Sequence, residues 1–401
     1  MNILVINGDC ITRNSSANLC HLAYIRGLLY NGHKVSLLSA SSKGYELDSC
    51  MKIPDEVTQY TYSGMSFYER ISLMKNKSGT SVLSAVSTEH NEKKFDIISG
   101  LKESVLKLYG VHGIYSTFVR KARKFKSREK YDFVISISTP STSHLLAYKL
   151  IKKKRINATH WIQIWEDPWY CDAYGFNGKK AIHKEEARLL SLAEKVCYVS
   201  PLTLKKQQQL YSESAHKMYW QPLPAYYGEE SNEVPKNGQL SFGYFGDYAP
   251  ASRNLQPFYQ AATESDINVN ICGNPSNLFI TTEKIKIYPR LTLDKLKPIE
   301  DSTDVLVFLC NRKGGQIPGK IYQYSATNKT ILFILDGTEE EKTVLRAYFE
   351  QYDRYVFCDN SVESIKEAID RIKKGDIGEI ENKPIDDFSP AYIVEKILKM
   401  E

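Results

Sequence analysis

Ile3-Leu4-Val5-Ile6, a polar-apolar stretch from Ser16 to Asn31, Gly32, and then Lys34-Val35-Ser36-Leu37-Leu38 follow one another near the start of the chain. A short apolar run, a helix-length segment closed by a glycine suited to a left-handed C-cap, and a second apolar run form a strand–helix–strand unit. The same alternation continues with strands expected at 133–137, 161–165 and 196–199. It restarts at 240–245, 269–272, 285–288, 305–309, 331–335 and 355–357. Strands that alternate with helices in this way build parallel sheets covered on both faces. Between the two sets, Gln221-Pro222-Leu223-Pro224 through Val234-Pro235-Lys236-Asn237-Gly238 is rich in prolines and turn formers and reads as a linker. The expected fold class is therefore α/β, with two doubly wound Rossmann-like units in series.

Length and composition agree with that outline. The 401 residues suggest two or three domains at roughly 100–200 residues each. With 42% hydrophobic and 25% charged residues the composition argues against disorder. No apolar run approaches the ~18–20 residues that span a bilayer. The N-terminus lacks a basic region and reads as a buried strand rather than a signal peptide. Eight cysteines are scattered without a Cys-x-x-Cys pair, which excludes a zinc ribbon or a dithiol redox motif. Such usage suits a reducing cytosol, and a cytoplasmic location is expected. No internal repeat or low-complexity tract stands out. Lys and Arg number 29 against 18 Asp and Glu in residues 1–200, and 24 against 29 in residues 201–401. A front half at +11 and a back half at −5 suggest two bodies with different partners.

Dehydrogenases, small-molecule binders and nucleotide-sugar transferases share this outline, so the sites must choose among them. Open α/β sheets bind ligands beyond the carboxyl ends of their strands. After the first strand, Asn7-Gly8-Asp9 offers one glycine for close backbone approach, but Gly-x-Gly-x-x-Gly is absent, which weakens an oxidoreductase reading. After the 133–137 strand, Ser138-Thr139-Pro140-Ser141-Thr142-Ser143-His144 fits the first turn of a helix, with His144 near its mouth. After the 161–165 strand, Glu166-Asp167-Pro168-Trp169 places two carboxylates against a proline, and at least one should face the crevice. Asp167, held extended before Pro168, is the candidate base or orienting group for a hydroxyl. Asn311 to Lys320 carries Gly314 and Gly315 ahead of a helix expected at 321–326. Exposed amides, a positive helix end and Lys320 together suit a diphosphate. Arg253 follows the first strand of the second set and suits bidentate phosphate contact.

The segments Tyr131 to Pro140, Glu166-Asp167-Pro168-Trp169, Ala193 to Ser200, Tyr244-Phe245-Gly246 to Arg253-Asn254, and Ile317-Pro318-Gly319-Lys320-Ile321-Tyr322-Gln323-Tyr324 occur in an order that resembles a GT-B glycosyltransferase. The similarity is greatest to family 4, the branch that builds bacterial surface polysaccharides. It runs over nearly the whole chain, from about residue 1 to 395; no one motif is specific, and the ordered set carries it. The resemblance implies two Rossmann-like domains facing a central cleft. An N-terminal acceptor domain (1–222, rejoined by a final helix at 388–401) would be followed by a nucleotide-sugar donor domain (223–387). It implies transfer with retention and without a bound metal or other cofactor. Arg253 would hold the donor diphosphate with Gly314, Gly315, Lys320 and Gly8, while Gln323 would reach the ribose. Asp167 or His144 would position or deprotonate the acceptor hydroxyl. The family's two glutamates, eight positions apart, correspond here to Gly315 and Gln323, and its second basic residue to Phe258.

The stretch from Ile114 to Lys130 repeats Ile114, Phe118, Ala122 and Phe125 at helical spacing among basic residues. A basic amphipathic helix is an expected peripheral membrane contact, at the inner face of the cell membrane. It would suit a glycan or lipid-linked acceptor. The basic residues are not interleaved with a nucleic-acid-binding motif, and no nucleic-acid partner is expected. Two further readings stay open: a catalytically weak relative that binds nucleotide or glycan in an assembly, favoured by the missing glutamates, and a nucleotide-sugar epimerase, which would make product from donor alone.

Overall fold

A computed structural model describes residues 1–45, 47–66, 69, 110–172, 179–226, 239–273, 278–313 and 315–400. Gly314, the polar segment 75–80 and linker residues 227–238 lie outside the described residues. The first lobe holds β1 (Asn2–Asn7), α1 (Ser16–Tyr30), β2 (Lys34–Ala40), β3 (Thr58–Tyr62), α2 (Ser116–Ala122), β4 (Lys130–Ser138), α3 (Thr142–Lys152), β5 (Asn157–Trp165), α4 (Lys180–Leu192), β6 (Lys195–Tyr198), α5 (Pro201–Leu210) and β7 (Met218–Trp220). The second holds β8 (Ser241–Phe245), α6 (Gln256–Glu264), β9 (Asn268–Cys272), β10 (Ile285–Tyr288), α7 (Leu293–Asp301), β11 (Val305–Leu309), α8 (Lys320–Ser325), β12 (Thr330–Leu335), α9 (Glu339–Glu350), β13 (Tyr355–Asp359) and α10 (Val362–Lys374). A last helix, α11 (Pro390–Lys399), follows.

All strand pairs are parallel. The first sheet runs β3-β2-β1-β4-β5-β6-β7 and the second β10-β9-β8-β11-β12-β13. Both therefore reverse direction of growth after their first strand, between β1 and β4 and between β8 and β11. That reversal opens a crevice at the strand ends of each sheet. The central strands are near-continuous apolar runs because helices cover both of their faces. Two edge strands, β3 and β7, escaped the sequence pattern. Thr58-Gln59-Tyr60-Thr61-Tyr62 leaves its side chains exposed or half-buried, and β7 is only three residues long.

One apolar cluster joins the inner face of the first sheet, α1 and α11 to the inner face of the second sheet. The outer face of each lobe has its own cluster. Helix α11 starts at the Ser389 cap with Pro390 at its first position and lies along α1. Asn31 Nδ2 donates to Ala391 O at 2.8 Å and the Tyr219 hydroxyl to Ile397 O at 3.1 Å. Gly27 makes that approach possible, since a Cβ there would sit 2.1 Å from Pro390 O. All eight cysteines are free thiols.

The basic amphipathic helix expected at 114–130 is corrected in two ways. Only Ser116–Ala122 is α-helical, after a 3-10 turn at Gly113–Tyr115. Phe118, Ala122 and Phe125 are buried in the outer cluster of the first lobe, with Phe125 against Tyr60 at a ring distance of 4.8 Å. Its apolar stripe is core, and none of those three side chains is left to enter a lipid phase. Among the described residues no helix is long and apolar enough to cross a membrane.

Candidate functional site

Two loops of the second lobe are zipped together at its switch point. In the β8–α6 loop Arg253 N donates to Ala249 O at 2.8 Å, which turns the side chain toward β11. Its Nε donates to Asn311 Oδ1 at 2.8 Å and its Nη1 to Asp247 O at 3.3 Å. Asn311 Nδ2 in turn donates to Gln316 O at 2.9 Å, and Arg312 N to Ser252 O at 2.8 Å. Arg253 and Lys320 line the same small cavity, with Tyr244, Gly246, Pro318 and Tyr324. Two cations at one cavity mouth suit a phosphate ligand.

The first lobe meets these loops directly. Ser200 caps α5, its hydroxyl accepting from Thr203 N, and the same hydroxyl donates to Gly315 O at 2.6 Å. Gly315 has φ +72°, and a Cβ would lie 2.8 Å from Leu202 Cβ. Both the backbone and the close approach demand glycine there. Gln316 Nε2 donates to Asp167 Oδ1, so the two strand-end loops join across the lobe junction. Burial pushes the Asp167 carboxyl up to about 7, with Glu166 and Asp172 adding to the rise and Gln316 and Arg253 opposing it. A carboxylate poised near neutrality can exchange a proton at working pH.

Of the adjacent carboxylates, Asp167 reaches Gln316 of the second lobe, whereas Glu166 is held by α1. Glu166 Oε2 lies 3.2 Å from His21 Nε2 on α1, and both side chains are buried. Burial raises Glu166, while His21 opposes the rise. The segment after Asp167 is pinned by Glu186, whose buried carboxylate accepts from Trp169 N at 3.1 Å, Tyr170 N at 2.6 Å and the Tyr211 hydroxyl at 3.0 Å. A further tie between lobes is Asp48, whose Oδ2 accepts from Asn14 Nδ2 at 2.7 Å and from Leu293 N at 3.1 Å. Asn311, Gln316, Glu186 and Asp48 were missed by sequence reasoning. Only the first two lay in a loop already singled out.

Several expected site residues are engaged elsewhere. His144 has no exposed surface; its Nδ1 is 2.8 Å from Ser136 Oγ and its ring lies 4.4 Å from that of Trp165. Burial, with His112 nearby, lowers it to about 3, so it is a neutral core residue with no route to a substrate proton. Gly8 N donates to Ser143 Oγ at 2.8 Å, which leaves that amide inside the lobe. Lys320 pairs with Glu300 at 2.6 Å, reducing the charge it offers a phosphate. Helix α8 spans six residues and starts at Lys320, one residue earlier than expected. Gln323 turns to the linker: its Oε1 accepts from Tyr226 N at 2.8 Å and its Nε2 donates to Tyr226 O.

No protein-family model matches the sequence, and no curated protein sequence matches it. Solved structures do match over the whole chain. TarM superposes with a TM-score of 0.61 at 10% identity, covering 100% of this chain and 98% of its own. A glycosyltransferase from Rickettsia africae ESF-5 gives 0.57 at 13% identity, covering 100% and 97%. The lipopolysaccharide outer core galactosyltransferase WaaB gives 0.52 at 11% identity, with both chains covered in full. The fold is GT-B.

In this GT-B chain the amide of Gln323 has a use that a carboxylate cannot copy. It accepts from one peptide group and donates to the next, fastening Tyr226 to α8. Glutamate would set a carboxylate against the Tyr226 carbonyl with no donor between them. Gln323→Glu is expected to destabilise the chain by about 1–3 kcal/mol at neutral pH, the cost of leaving a polar partner unsatisfied. The loss should shrink in acid, where a protonated glutamic acid donates again. Denaturant midpoints at the two pH values check this, and an unchanged midpoint would remove the fastening role.

Proposed function

We propose that the chain is a glycosyltransferase that moves a sugar from a nucleoside-diphosphate sugar to a glycan or lipid-linked acceptor in bacterial polysaccharide synthesis. The observation that carries this reading is the hydrogen-bonded relay across the junction of a GT-B fold, from Arg253 through Asn311 and Gln316 of the second lobe to Asp167 of the first. The galactosyltransferase WaaB, one of the structures with this fold, works on lipopolysaccharide outer core, which supports the polysaccharide setting.

In this proposal the donor diphosphate lies against Arg253, which Asn311 holds by its Nε. As the anomeric C–O bond breaks, its electron pair moves to the departing phosphate oxygen, and the guanidinium stabilises that charge. The acceptor hydroxyl oxygen forms the new bond, and its proton passes to the Asp167 carboxylate. The first lobe supplies the acceptor surface and the second the donor surface. Retention belongs to the same proposal and requires the acceptor oxygen to enter on the face that the diphosphate leaves, which the product anomer reports; so does independence of a metal ion, since Arg253 supplies positive charge at the diphosphate.

The test is release of nucleoside diphosphate from a panel of sugar nucleotides with cell lipid extract as acceptor. Acceptor-dependent release from at least one donor is expected. Silence across the panel, together with no thermal stabilisation by any nucleoside diphosphate, removes the reading. A second reading has specific support: the Lys320–Glu300 pair and the Gln323–Tyr226 fastening leave fewer groups for a donor. A nucleotide-binding relative with little turnover would gain ~2.7 kcal/mol from a nucleotide at 100 times its dissociation constant, yet release no product.

A further inference from the structure

A chain of ring and charge contacts leads from Asp167 along the carboxyl edge of the first sheet. Two residues after Asp167, the Trp169 ring stacks on His112 at 5.0 Å. His112 precedes the 3-10 turn Gly113–Tyr115, which ends on Tyr115. Beside Tyr115 the loop after β1 brings up Asp9 and Arg13, whose Nη1 donates to Asp9 Oδ1 at 3.2 Å. The Arg13 guanidinium lies over the Tyr45 ring at 5.0 Å. Burial raises the Tyr45 and Tyr115 hydroxyls, with Asp9 and Glu69 adding to the rise and Arg13 opposing it, so these five groups share one place. The next residue, Asn14, reaches the second lobe through Asp48 and Leu293, which sets Arg13 at the rim of the lobe junction. Among the described residues Arg13 Nε and Nη2 have no hydrogen-bond partner. Nor do three buried polar atoms at the ends of β1 and β4 and the start of α3: Asn7 Nδ2, Ser138 Oγ and Thr142 Oγ1.

We propose that this rim is a subsite for a second, uncharged sugar ring of the acceptor, held by Arg13 and Asp9 beside Tyr45 and Tyr115. It rests on the transferase reading, in which Asp167 receives the hydroxyl of the first ring, and it makes the acceptor a glycan at least two rings long. Sugar hydroxyls both donate and accept, which matches a guanidinium fork set beside a carboxylate. Tyrosine rings add an apolar body with a polar tip, suited to the C–H face of a sugar. One guanidinium against the carboxylates of Asp9 and Glu69 leaves the rim without net positive charge, which disfavours a phosphate or an acidic sugar. Spacing selects the ring. Strands β1 and β5 flank β4, so their ends stand roughly 10 Å apart, two strand spacings. A hexose at Asp167 is too short to reach Arg13, and the next ring of the chain is not. The donor cavity around Arg253 is lined by second-lobe residues alone, so the two sites do not compete.

The experiment is ligand-observed NMR on the full chain, without donor, using maltose, cellobiose, lactose and N,N′-diacetylchitobiose against their component monosaccharides and glucuronate. At least one disaccharide is expected to bind about tenfold or more tighter than either of its monosaccharides, the worth of one charge-assisted hydrogen bond. Arg13→Ala should remove that excess and leave monosaccharide binding as in wild type. Arg13→Lys, which keeps the charge without the fork, should recover part of it. Thermal unfolding checks that each variant folds, and stabilisation by a nucleoside diphosphate should be unchanged in both. No excess for any disaccharide, or an excess that survives Arg13→Ala in a folded chain, overturns the proposal. So does Arg13-dependent binding of glucuronate above glucose, which would assign the rim to an anion. Loss of nucleoside diphosphate stabilisation in Arg13→Ala also overturns it, by placing Arg13 on the donor. No donor and no turnover enter the sugar measurement. A chain that shows the Arg13-dependent excess but releases no nucleoside diphosphate therefore keeps the sugar subsite and loses only the transferase reading.

Discussion

Arg253→Ala is expected to lower turnover of the best sugar nucleotide at least ~100-fold, with most of the loss in kcat, as for removal of one donor to a developing oxyanion. The effect follows from how the side chain is held. Its Nε is fixed by Asn311 Oδ1 and one Nη by Asp247 O, so the guanidinium is oriented before a ligand arrives. A charge already in place requires little reorganisation as the bond to phosphate breaks. Two companion variants sharpen the test. Arg253→Lys keeps the charge but loses the planar fork, and should recover only part of the rate. Asn311→Ala keeps the arginine but frees its Nε, and should cost less than Arg253→Ala. Near-normal turnover in Arg253→Ala, in a chain whose thermal unfolding is unchanged, would separate Arg253 from the leaving group.

What was legible in the sequence follows from how each residue is used. The central strands showed because burial on both faces forces apolar, β-branched runs, and β11 begins and ends where its run does. Edge strands such as β3 carry polar outward side chains and leave no such trace. Position after a strand pointed to Asp167 and Arg253, since strand ends gather ligands in an open sheet. Position could not say which way a side chain turns. His144 shares the first turn of α3 with residues at the strand end, yet it points into the layer that holds Trp165. Glu166 and Asp167 are neighbours with different partners, His21 on α1 and Gln316 in the second lobe. Partnerships such as Lys320 with Glu300, Gln323 with Tyr226, and Asp48 with Leu293 join loops of different elements or lobes. No local pattern encodes them.

Asp167→Asn is expected to stabilise the folded chain at pH 8 while removing acceptor-dependent turnover. The carboxyl titrates at about 7 in the fold, against an ordinary 3.8. Between those values the folded chain holds a proton that the unfolded chain has released. Stability attributable to this group therefore falls as pH rises from about 4 to 7, the reverse of a salt-bridged aspartate. At about 1.4 kcal/mol per unit of displacement, the ceiling on the loss is about 4 kcal/mol. Asparagine carries no charge to bury, and its carbonyl can still accept from Gln316 Nε2, so the variant should lose the downward slope and gain stability above neutrality. Denaturation midpoints at pH 5 and pH 8 give the result directly: the wild type should weaken between them by more than the variant does. Activity should move the opposite way. If Asp167 takes the acceptor proton, the wild-type rate climbs through about pH 7 as the carboxylate forms, and the variant has no such limb. Parallel stability profiles in the two proteins would mean that the carboxyl is not held in a desolvating site. A rate that keeps its climb through pH 7 in Asp167→Asn would assign the proton to another group. The two readouts are independent, so a buried aspartate with no part in transfer shows itself as the first effect without the second.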